Sequence, residues 1–353
     1  MSFVDTQTLV STENPDEILA EFVHHLEDDH DIQFQKMHDG SRVVEQEAFR
    51  VAFRVELDGL SVSIRAPNEG ALVFFKEEIA RHISEIDAIA AKGIRWSGEA
   101  SREGELPPNF NVLTVVSSLE IFPGMQRVTL KMPGLKDVLE DGLHLKLMLP
   151  ANPGRTAVWP KMAANGAPVW PEGKDALHAR YMTIVQIRPD VEEIDLDMVR
   201  HGDGLISRWA QKASIDDEVG AMGPAGMQGL PKAERYLMAA DMTGLSSAAR
   251  IMERLPKNAT GAVIVAAPTQ CDLAEYLPAS NLTIYRIAPE DFEEDVIPLL
   301  GQLAAVVRPE QAWFAGEFTN AQAARKLFRQ NGLSKGTQLS VAYWRRNQPG
   351  FMA

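Results

Sequence analysis

From Glu234 onward, short apolar runs alternate with longer helical segments, a pattern that few folds accommodate. The predicted strands are Tyr236–Ala240, Ala262–Ala267, Leu282–Ile287, Ala312–Ala315 and Leu339–Tyr343, and the predicted helices cover 244–255, 290–306 and 319–331. Strands that are apolar throughout are buried on both faces, and helical crossovers join such strands in parallel. The sequence therefore predicts an α/β domain with a parallel sheet, whose ligands bind beyond the carboxyl ends of the strands.

The N-terminal part carries a different pattern, in which a strand hairpin lies between helices. Residues 15–28 and 69–91 have apolar side chains at helical spacing. Between them, residues 49–57 and 60–64 alternate apolar and polar side chains around Asp58-Gly59, which predicts a hairpin. This order predicts a small α+β domain over residues 1–96, and a polar stretch with Gly and Pro over 97–111 indicates a linker.

The region between these two parts is rich in strand patterns. Predicted strands cover 112–120, 126–132 and 144–150, and a Pro/Gly-rich loop with Trp159-Pro160 and Trp170-Pro171 follows them. Farther on, a predicted helix over 204–213 precedes a glycine-rich turn over 220–226, which closes the region.

Two features of residues 180–210 are suited to holding an anion. Arg180 opens an apolar, strand-forming run, and its planar guanidinium matches the geometry of phosphate oxygens. A glycine-rich turn ends at Gly204, and Ser207 lies in the first turn of the next helix, where free N–H groups and the helix dipole favour an anion. A predicted hairpin joins the two features. Together they indicate one large ligand with phosphate groups, lying across two strands.

These residues resemble the flavin-binding core of the siderophore-interacting proteins, a branch of the ferredoxin-reductase-like flavoproteins. The family signature Arg-x-Tyr-Thr maps onto Arg180, Met182 and Thr183, so Met182 replaces the tyrosine unless Tyr181 takes its role. The second signature, His-x-x-Gly-x-x-Ser-x-Trp-Ala, is carried by His201, Gly204, Ser207, Trp209 and Ala210. The resemblance implies that Arg180 holds the flavin phosphate and that Thr183 and its neighbours face the isoalloxazine ring. It also places His201 in the flavin-binding turn.

Three segments of the α/β region continue the resemblance. Asp241, Thr243 and Gly244 stand in a turn similar to the family's Gly-Asp-x-Thr-Ala turn, with Ala240 replacing its glycine and Ser246 its usual proline. Gly316 and Glu317 end an Ala-Trp-x-Ala-Gly-Glu segment, and Trp344 belongs to a Tyr-Trp-Arg-Arg signature. By resemblance, these segments bind a nicotinamide dinucleotide, because such a turn offers backbone N–H groups to phosphates. Arg286 is a candidate contact for a 2′-phosphate, by charge and position alone.

Two tryptophans in the Pro/Gly-rich loop match loop landmarks of the same family. Trp159 and Trp170 are each followed by proline. Two interpretations of this pair stay open: the rings cover a cofactor, or they pack on the end of the barrel.

The resemblance implies a multidomain chain of ferredoxin-reductase-like fold. Its parts are a small α+β domain of unknown role (1–96), a linker (97–111), an antiparallel β-barrel that binds FAD (112–230) and an α/β domain resembling NAD(P)H-binding domains (231–353). The implied function is reduction of ferric siderophores to release iron(II), with electrons from NADPH, NADH or a reduced ferredoxin passing through FAD. Because the flavin carries the redox chemistry, no side chain is predicted to be catalytic.

Two other functions stay open from the sequence. One is a flavin reductase that uses another electron acceptor. The other is a non-catalytic flavin- or siderophore-binding protein, because Met182, Ala240 and Ser246 depart from the family pattern. Lys146, Lys161, Lys174 and Arg345 are the basic side chains considered for attracting an anionic chelate.

Composition excludes several further classes of function. The sequence lacks an apolar run long enough for a transmembrane helix and the pattern of a signal peptide, and it has a single cysteine, Cys271, so we expect a cytoplasmic protein. The net charge of −14 argues against nucleic acid or an anionic membrane as the main partner. Histidines and aspartates between His24 and His38 are metal-ligand types without a fixed spacing, so no metal site is predicted.

Overall fold

The structure is a computed structural model that describes residues 3–28, 33–46, 49–97, 102–135, 142–202, 204–225 and 229–348. It divides the chain into two compact units, one drawn from Met1–Phe110 with Pro150–Leu177 and the other from Asn111–Leu149 with His178–Ala353. The elements up to the first long connection are β1 (Val4–Val10), α1 (Pro15–Asp28), β2 (Gln35–Lys36), β3 (Arg42–Gln46), β4 (Phe49–Glu56), β5 (Gly59–Ala66), α2 (Glu69–Ile86) and α3 (Ala88–Gly93).

The remaining elements follow in two groups. The first group is β6 (Phe110–Phe122), β7 (Met125–Lys131), β8 (His144–Pro150), β9 (Lys161–Met162), β10 (Pro168–Val169), β11 (Leu177–Arg188), β12 (Glu193–Val199), α4 (Leu205–Lys212) and β13 (Glu218–Ala225). The second group is β14 (Arg235–Ala240), α5 (Leu245–Met252), β15 (Thr260–Ala266), α6 (Leu273–Tyr276), β16 (Asn281–Ile287), α7 (Phe292–Val307), β17 (Gln311–Glu317), α8 (Phe318–Gln330) and β18 (Gln338–Trp344). Among the described residues, no helix is long and apolar enough to cross a membrane.

The N-terminal domain is a five-stranded antiparallel sheet with helices on one face. The strand order is β1-β5-β4-β3-β2, and Phe22 of α1 and Ile79 of α2 share a core with Phe53 and Val62. The predicted hairpin is present, but Glu56 pairs with Gly59, so the turn lies one residue earlier than the sequence pattern suggested. The long helix predicted over 69–91 is broken at Asp87, which ends α2 and whose carboxylate accepts the first N–H groups of α3.

The loop between β8 and β11 packs with this N-terminal domain. The Trp96 indole donates to the Asn165 carbonyl at 2.8 Å, and the Trp170 indole donates to Glu77 Oε1 at 2.7 Å. The Trp159 ring lies 5.3 Å from the Phe110 ring, centroid to centroid. Trp159 and Trp170 therefore both have partners within this unit, which neither interpretation of this pair from the sequence anticipated. The four domain limits derived from the sequence stay a prediction.

The second unit begins with a closed antiparallel barrel. Its strand order is β11-β12-β7-β6-β13-β8, and alternate apolar side chains of these strands fill its interior. The glycine-rich stretch 220–226 was expected to be a turn, but its described part lies in strand β13 and pairs with β8. A strand poor in large apolar residues carries little hydrophobic alternation, which explains the wrong prediction.

A parallel five-stranded sheet completes the second unit, as the sequence predicted. The order is β16-β15-β14-β17-β18. Strands β15 and β16 are added on one side of β14, and β17 and β18 are then added on the other side, so the strand order reverses between β14 and β17. All four neighbouring pairs are parallel. The crevice at such a reversal, beyond the carboxyl ends of the strands, is where α/β sheets bind ligands. Asp241 follows β14 and Gly316 lies near the end of β17, so both stand at this reversal.

Candidate functional site

Strand β11 carries the four residues of the first predicted signature, and they face different surroundings. Met182 packs against the barrel core, whereas Tyr181 is 40% exposed and has the Lys146 ammonium 5.4 Å from its ring centroid. Side chains two apart share one face of a strand, so Tyr181 and Thr183 share a face. The exposed aromatic ring of this strand is therefore Tyr181, while Met182 is turned inward.

Arg180 is a partly buried cation. Its guanidinium donates to the carbonyl oxygen of Ala179 at 2.6 Å and forms no ion pair with a carboxylate within the described ranges. Burial lowers the pKa of Arg180, as it does for a cation removed from water without a compensating negative charge. A guanidinium in this state is suited to an anionic ligand that supplies the missing charge.

The start of helix α4 is a second place suited to an anion. Gly204 precedes the helix, caps it with no side chain, and the first turn contains no acidic residue. A Cβ at Gly204 would lie 2.2 Å from Cε1 of His201, so a larger residue there would displace the imidazole ring from its position over the turn. The Ser207 hydroxyl is buried and accepts the N–H of His201 at 3.0 Å. The signature residues thus hold one another in a tight turn, and the described first turn of the helix carries no acidic side chain.

These two places lie at the same end of the barrel. Strands β11 and β12 are antiparallel, so the beginning of β11, with Arg180, and the end of β12, before His201, come to one end. Trp209, on the same helix as Ser207, packs against the barrel core and fixes α4 there. The hairpin expected from the sequence therefore brings both predicted anion-holding features together.

Thr183 is the centre of a buried hydrogen-bonded chain that joins the barrel to the parallel-sheet domain. Its hydroxyl lies 3.2 Å from Nδ1 of His144 in the barrel and 2.7 Å from Oγ of Ser247 in α5. Ser247 Oγ in turn lies 2.8 Å from the hydroxyl of Tyr343 in β18. Burial raises the pKa of Tyr343 to about 12 and lowers the pKa of His144 to about 4, so both groups are neutral near pH 7.

The neutral state of His144 predicts a loss of stability in acid. Its pKa falls from 6.5 to about 4 on folding. Between these pH values the unfolded chain binds a proton here and the folded chain does not, so stability decreases as the pH falls through this window. At roughly 1.4 kcal/mol per pKa unit, the full loss is about 3–4 kcal/mol. Denaturant unfolding at pH 7 and at pH 4.5 measures this loss. We expect the free energy of unfolding to fall less between these two pH values for His144→Gln than for the wild type. The exposed His38→Gln variant is the control, and equal losses in all three proteins would contradict this assignment.

A second cluster forms at the ends of β14, β17 and β18. Asp241 Oδ1 accepts the Thr243 amide at 2.8 Å, the Thr243 hydroxyl at 2.5 Å and the Gly244 amide at 3.2 Å. Its Oδ2 accepts the Trp344 indole N–H at 2.7 Å. Burial raises the pKa of Asp241, and these donors oppose that rise. The site residues predicted from three distant segments thus converge on one carboxylate.

Glu317 and Gly316 complete this cluster. A Cβ at Gly316 would lie 2.9 Å from Asp241 Oδ2, so glycine leaves room for the carboxylate. The Glu317 side chain caps α8 by accepting the Thr319 amide, and it also accepts the amide of Arg346 at 3.2 Å. The backbone of the turn is therefore partly occupied, because Asp241 takes the N–H groups of Thr243 and Gly244 that the sequence suggested for phosphates. Arg286 is also engaged, donating to the carbonyls of Pro268 and Cys271.

The structure also shows buried polar contacts between the barrel and α5 that no sequence pattern indicated. Asp197 of β12 binds Arg127 with both carboxylate oxygens, at 2.7 and 2.8 Å, and accepts the hydroxyl of Tyr276 at 2.7 Å. Tyr276 lies 3.0 Å from the Ser246 hydroxyl, which makes a second polar link between the barrel and α5. Ser246 was noted only as a replacement for proline, and Ser247 had no signal.

The histidine and acid group near the N-terminus gives no metal centre in the described part of the chain. No cluster of three or more His, Cys, Asp or Glu side chains suited to a metal is found there. Asp29, His30 and Asp31, and the side chains of His25 and Asp28, lie outside the described residues.

Comparison with known proteins covers both parts of the second unit. Residues 114–228 match the family model of the siderophore-interacting FAD-binding domain, and residues 233–347 match that of the siderophore-interacting protein. The chain is 26% identical to the ferric vibriobactin reductase ViuB of Vibrio cholerae, over 67% of this chain and 90% of that protein. It is 27% identical to the NADPH-dependent ferric-chelate reductase of Escherichia coli, over 67% of this chain and 92% of that protein.

Solved structures show the same likeness. The siderophore-interacting protein SipS from Aeromonas hydrophila superposes with a TM-score of 0.58 at 27% identity, covering 68% of this chain and 93% of its own. A siderophore utilization protein from T. fusca superposes with a TM-score of 0.54 at 25% identity, covering 70% of this chain and 98% of its own. With the two family models matching residues 114–228 and 233–347, well over half of the sequence, the chain belongs to the siderophore-interacting protein family.

Proposed function

We propose that this protein reduces ferric siderophores and releases iron(II), using electrons that pass from NADPH or NADH through bound FAD. The observation that carries the proposal is the partly buried Arg180, which lacks a carboxylate partner among the described residues and lies at the same barrel end as the uncapped helix α4. Relatives named as a ferric vibriobactin reductase and an NADPH-dependent ferric-chelate reductase support it.

The residues at this end of the barrel fit FAD. Arg180 and the N-terminus of α4 supply positive charge and N–H donors for the two phosphates, while Tyr181, on the opposite face of β11 from Arg180, supplies an exposed aromatic ring. Met182 and Thr183 stand beside it on the same strand. His201, Gly204, Ser207 and Trp209 contribute by shaping the turn and fixing α4. Bound FAD supplies the exchange between two-electron and one-electron chemistry, and the side chains hold and orient it.

The cluster around Asp241 fits the electron donor's site at the reversal of the parallel sheet. The residues assigned to this site lie at the ends of three neighbouring strands, and they are Asp241, Thr243, Gly316, Glu317 and Trp344. Because the carboxylate of Asp241 is buried and accepts several donors, we assign it the task of holding the turn and the Trp344 ring in place. We propose NADPH as the preferred donor, with a reduced ferredoxin as the alternative.

Basic side chains near these two clusters fit an anionic ferric chelate. Lys146 lies beside Tyr181, and Arg345 follows Trp344 and stacks on Phe318 at 4.3 Å from the ring centroid. Iron in a ferric siderophore already has a full set of hard oxygen ligands, so a protein ligand would have to displace one. We propose that the chelate docks by charge and stays intact during electron transfer. The other two basic residues considered from the sequence, Lys161 and Lys174, belong to the first unit and are not part of this proposal.

Anaerobic titration tests the proposed function. Purified protein should show a flavin absorption spectrum that NADPH or NADH bleaches, and a ferric siderophore should then restore it while a ferrous chelator traps iron(II). Bleaching by a reduced ferredoxin alone would move the donor from a nicotinamide to a protein. Reoxidation by quinones but not by ferric siderophores would identify another acceptor. A flavin that no donor reduces would make the protein a non-catalytic binder.

Charge-based docking predicts a dependence on salt and on Lys146. Exposed ion pairs contribute at most about 1 kcal/mol and are screened over about 8–10 Å at moderate ionic strength. We expect Lys146→Gln to raise KM for an anionic ferric chelate about two- to fivefold at low salt, with kcat unchanged, and 0.5 M salt to remove the difference. Lys257→Gln is the control. Lys257 is exposed and precedes β15, so it lies at the amino ends of the parallel strands, whereas the Asp241 cluster lies at their carboxyl ends. A KM that responds to neither salt nor Lys146 would reject electrostatic docking.

A further inference from the structure

Two adjacent serines at the start of α5 belong to two different hydrogen-bonded chains. Ser246 and Ser247 are 3% and 1% exposed, and both hydroxyls lie between the barrel and the parallel-sheet domain. Ser246 contacts Tyr276, which donates to Asp197 and so ends on the Arg127 ion pair. Ser247 instead contacts Thr183 and Tyr343. Neighbours in sequence with equal burial thus serve separate networks.

The chain through Ser247 has a constrained direction. A hydroxyl has one proton to donate and can accept at its lone pairs, so the serine can donate to only one of its two neighbours. If Tyr343 donates to Ser247, then Ser247 donates to Thr183 and Thr183 donates to Nδ1 of His144. If His144 carries its proton on Nδ1, every donor in the chain is reversed. The orientation of the Thr183 hydroxyl is therefore linked to the tautomer of His144 and to Tyr343 through Ser247.

We propose that Ser247 is a positioning residue, which fixes the direction of the Thr183 hydroxyl on the strand that holds the flavin. This inference rests on the proposed function, because Thr183 faces the cofactor only if FAD binds at Arg180–Thr183. Without the Ser247 hydroxyl, Thr183 keeps only the longer, 3.2 Å contact to His144 among the partners described here. The Thr183 hydroxyl then rotates between orientations, and a flavin held by Arg180–Thr183 would lose a hydroxyl of fixed direction beside it.

Ser246 provides a matched comparison. Its hydroxyl is as buried as that of Ser247 and also bridges the barrel and α5, but its chain ends on an ion pair rather than on strand β11. A purely structural role would make the two serines equivalent. A positioning role makes only Ser247 matter for the step that involves Thr183.

The experiment compares Ser247→Ala, Tyr343→Phe and Ser246→Ala in the full chain. We expect Ser247→Ala to bind FAD within twofold of the wild type and to slow flavin reduction by NADPH about tenfold at saturation, the scale of one hydrogen bond. Tyr343→Phe, which keeps the ring but removes the far hydroxyl, should slow it less. Ser246→Ala should stay within twofold. Equal slowing by both serine variants, or none by Ser247→Ala, would overturn the proposal.

A spectroscopic readout separates this inference from the proposed function. In protein labelled with ¹⁵N-histidine, the Nδ1 and Nε2 shifts of His144 report its tautomer without any cofactor or activity. We expect Ser247→Ala and Tyr343→Phe to change these shifts and Ser246→Ala to leave them unchanged. If no nicotinamide reduces the wild-type flavin, the proposed function fails. The histidine shifts would still test whether Ser247 is coupled to His144 through Thr183. Unchanged His144 shifts in Ser247→Ala would refute the coupling of Thr183 to His144.

Discussion

Replacing Arg180 with alanine should remove most of the FAD from the purified protein. The guanidinium is partly buried, its pKa is lowered by burial, and it has no carboxylate partner in the described part of the chain. A charge-assisted hydrogen bond contributes about 1.5–3 kcal/mol, which corresponds to FAD binding about 10- to 100-fold weaker. The measurement is the dissociation constant of FAD for the apo protein, followed by quenching of flavin fluorescence.

Two further variants make this result interpretable. Arg180→Lys keeps the charge but loses the planar fork, so its FAD affinity should fall between those of the wild type and Arg180→Ala. Gln186→Ala changes an exposed side chain of the same strand and should bind FAD normally. Because Arg180 forms no ion pair with any described carboxylate, the apo form of Arg180→Ala should unfold at the wild-type temperature or slightly above it. Full FAD occupancy in Arg180→Ala would place the flavin phosphate elsewhere.

The fold was predictable where the hydrophobic pattern is regular. The strands of the parallel sheet contain short apolar runs, as in TGAVIVA of β15, and the hairpin of β4 and β5 alternates apolar and polar residues. Strand β1 was missed because Thr6 and Thr8 occupy buried positions. Their hydroxyls donate to the carbonyls of Ser97 and Arg95, and such distant partners leave no local signal. Strand β13 was missed because glycine and alanine resemble a turn.

The candidate site was predictable only where its residues share a local motif. His201, Gly204 and Ser207 contact one another within a single turn, so their spacing reflects their geometry. Ser247 meets Thr183 and Tyr343 only in the folded chain, and no sequence period encodes such a meeting. The predicted role of the Asp241 turn also changes in the structure. Its side chain accepts the N–H groups that the motif alone assigned to a ligand.

Asp197 should contribute more to stability than any exposed ion pair of the second unit. Its side chain is 0% exposed and that of Arg127 is 25% exposed, and both carboxylate oxygens accept from the guanidinium. The attraction between them raises the pKa of Arg127, while burial and the nearby carboxylate raise that of Tyr276. Asp197→Ala would leave a desolvated guanidinium and the Tyr276 hydroxyl without their acceptor. Breaking a buried pair in this way costs about 3–5 kcal/mol.

Denaturant unfolding of three variants tests this expectation. Asp197→Ala should lower the free energy of unfolding by about 3–5 kcal/mol and the melting temperature by about 10 °C. The double variant Arg127→Met with Asp197→Leu should recover most of the loss, because it removes both charges and leaves neither buried alone. Glu293→Gln breaks the exposed pair with Arg346 and should cost less than about 1 kcal/mol. A loss of unfolding free energy in Asp197→Ala no larger than that in Glu293→Gln would contradict this expectation. The contacts from Asp197 through Tyr276 to Ser246 would then contribute little to the packing of α5 against the barrel. The hydrogen bond between Thr183 of β11 and Ser247 of α5 would be the stronger candidate for the link between those two parts.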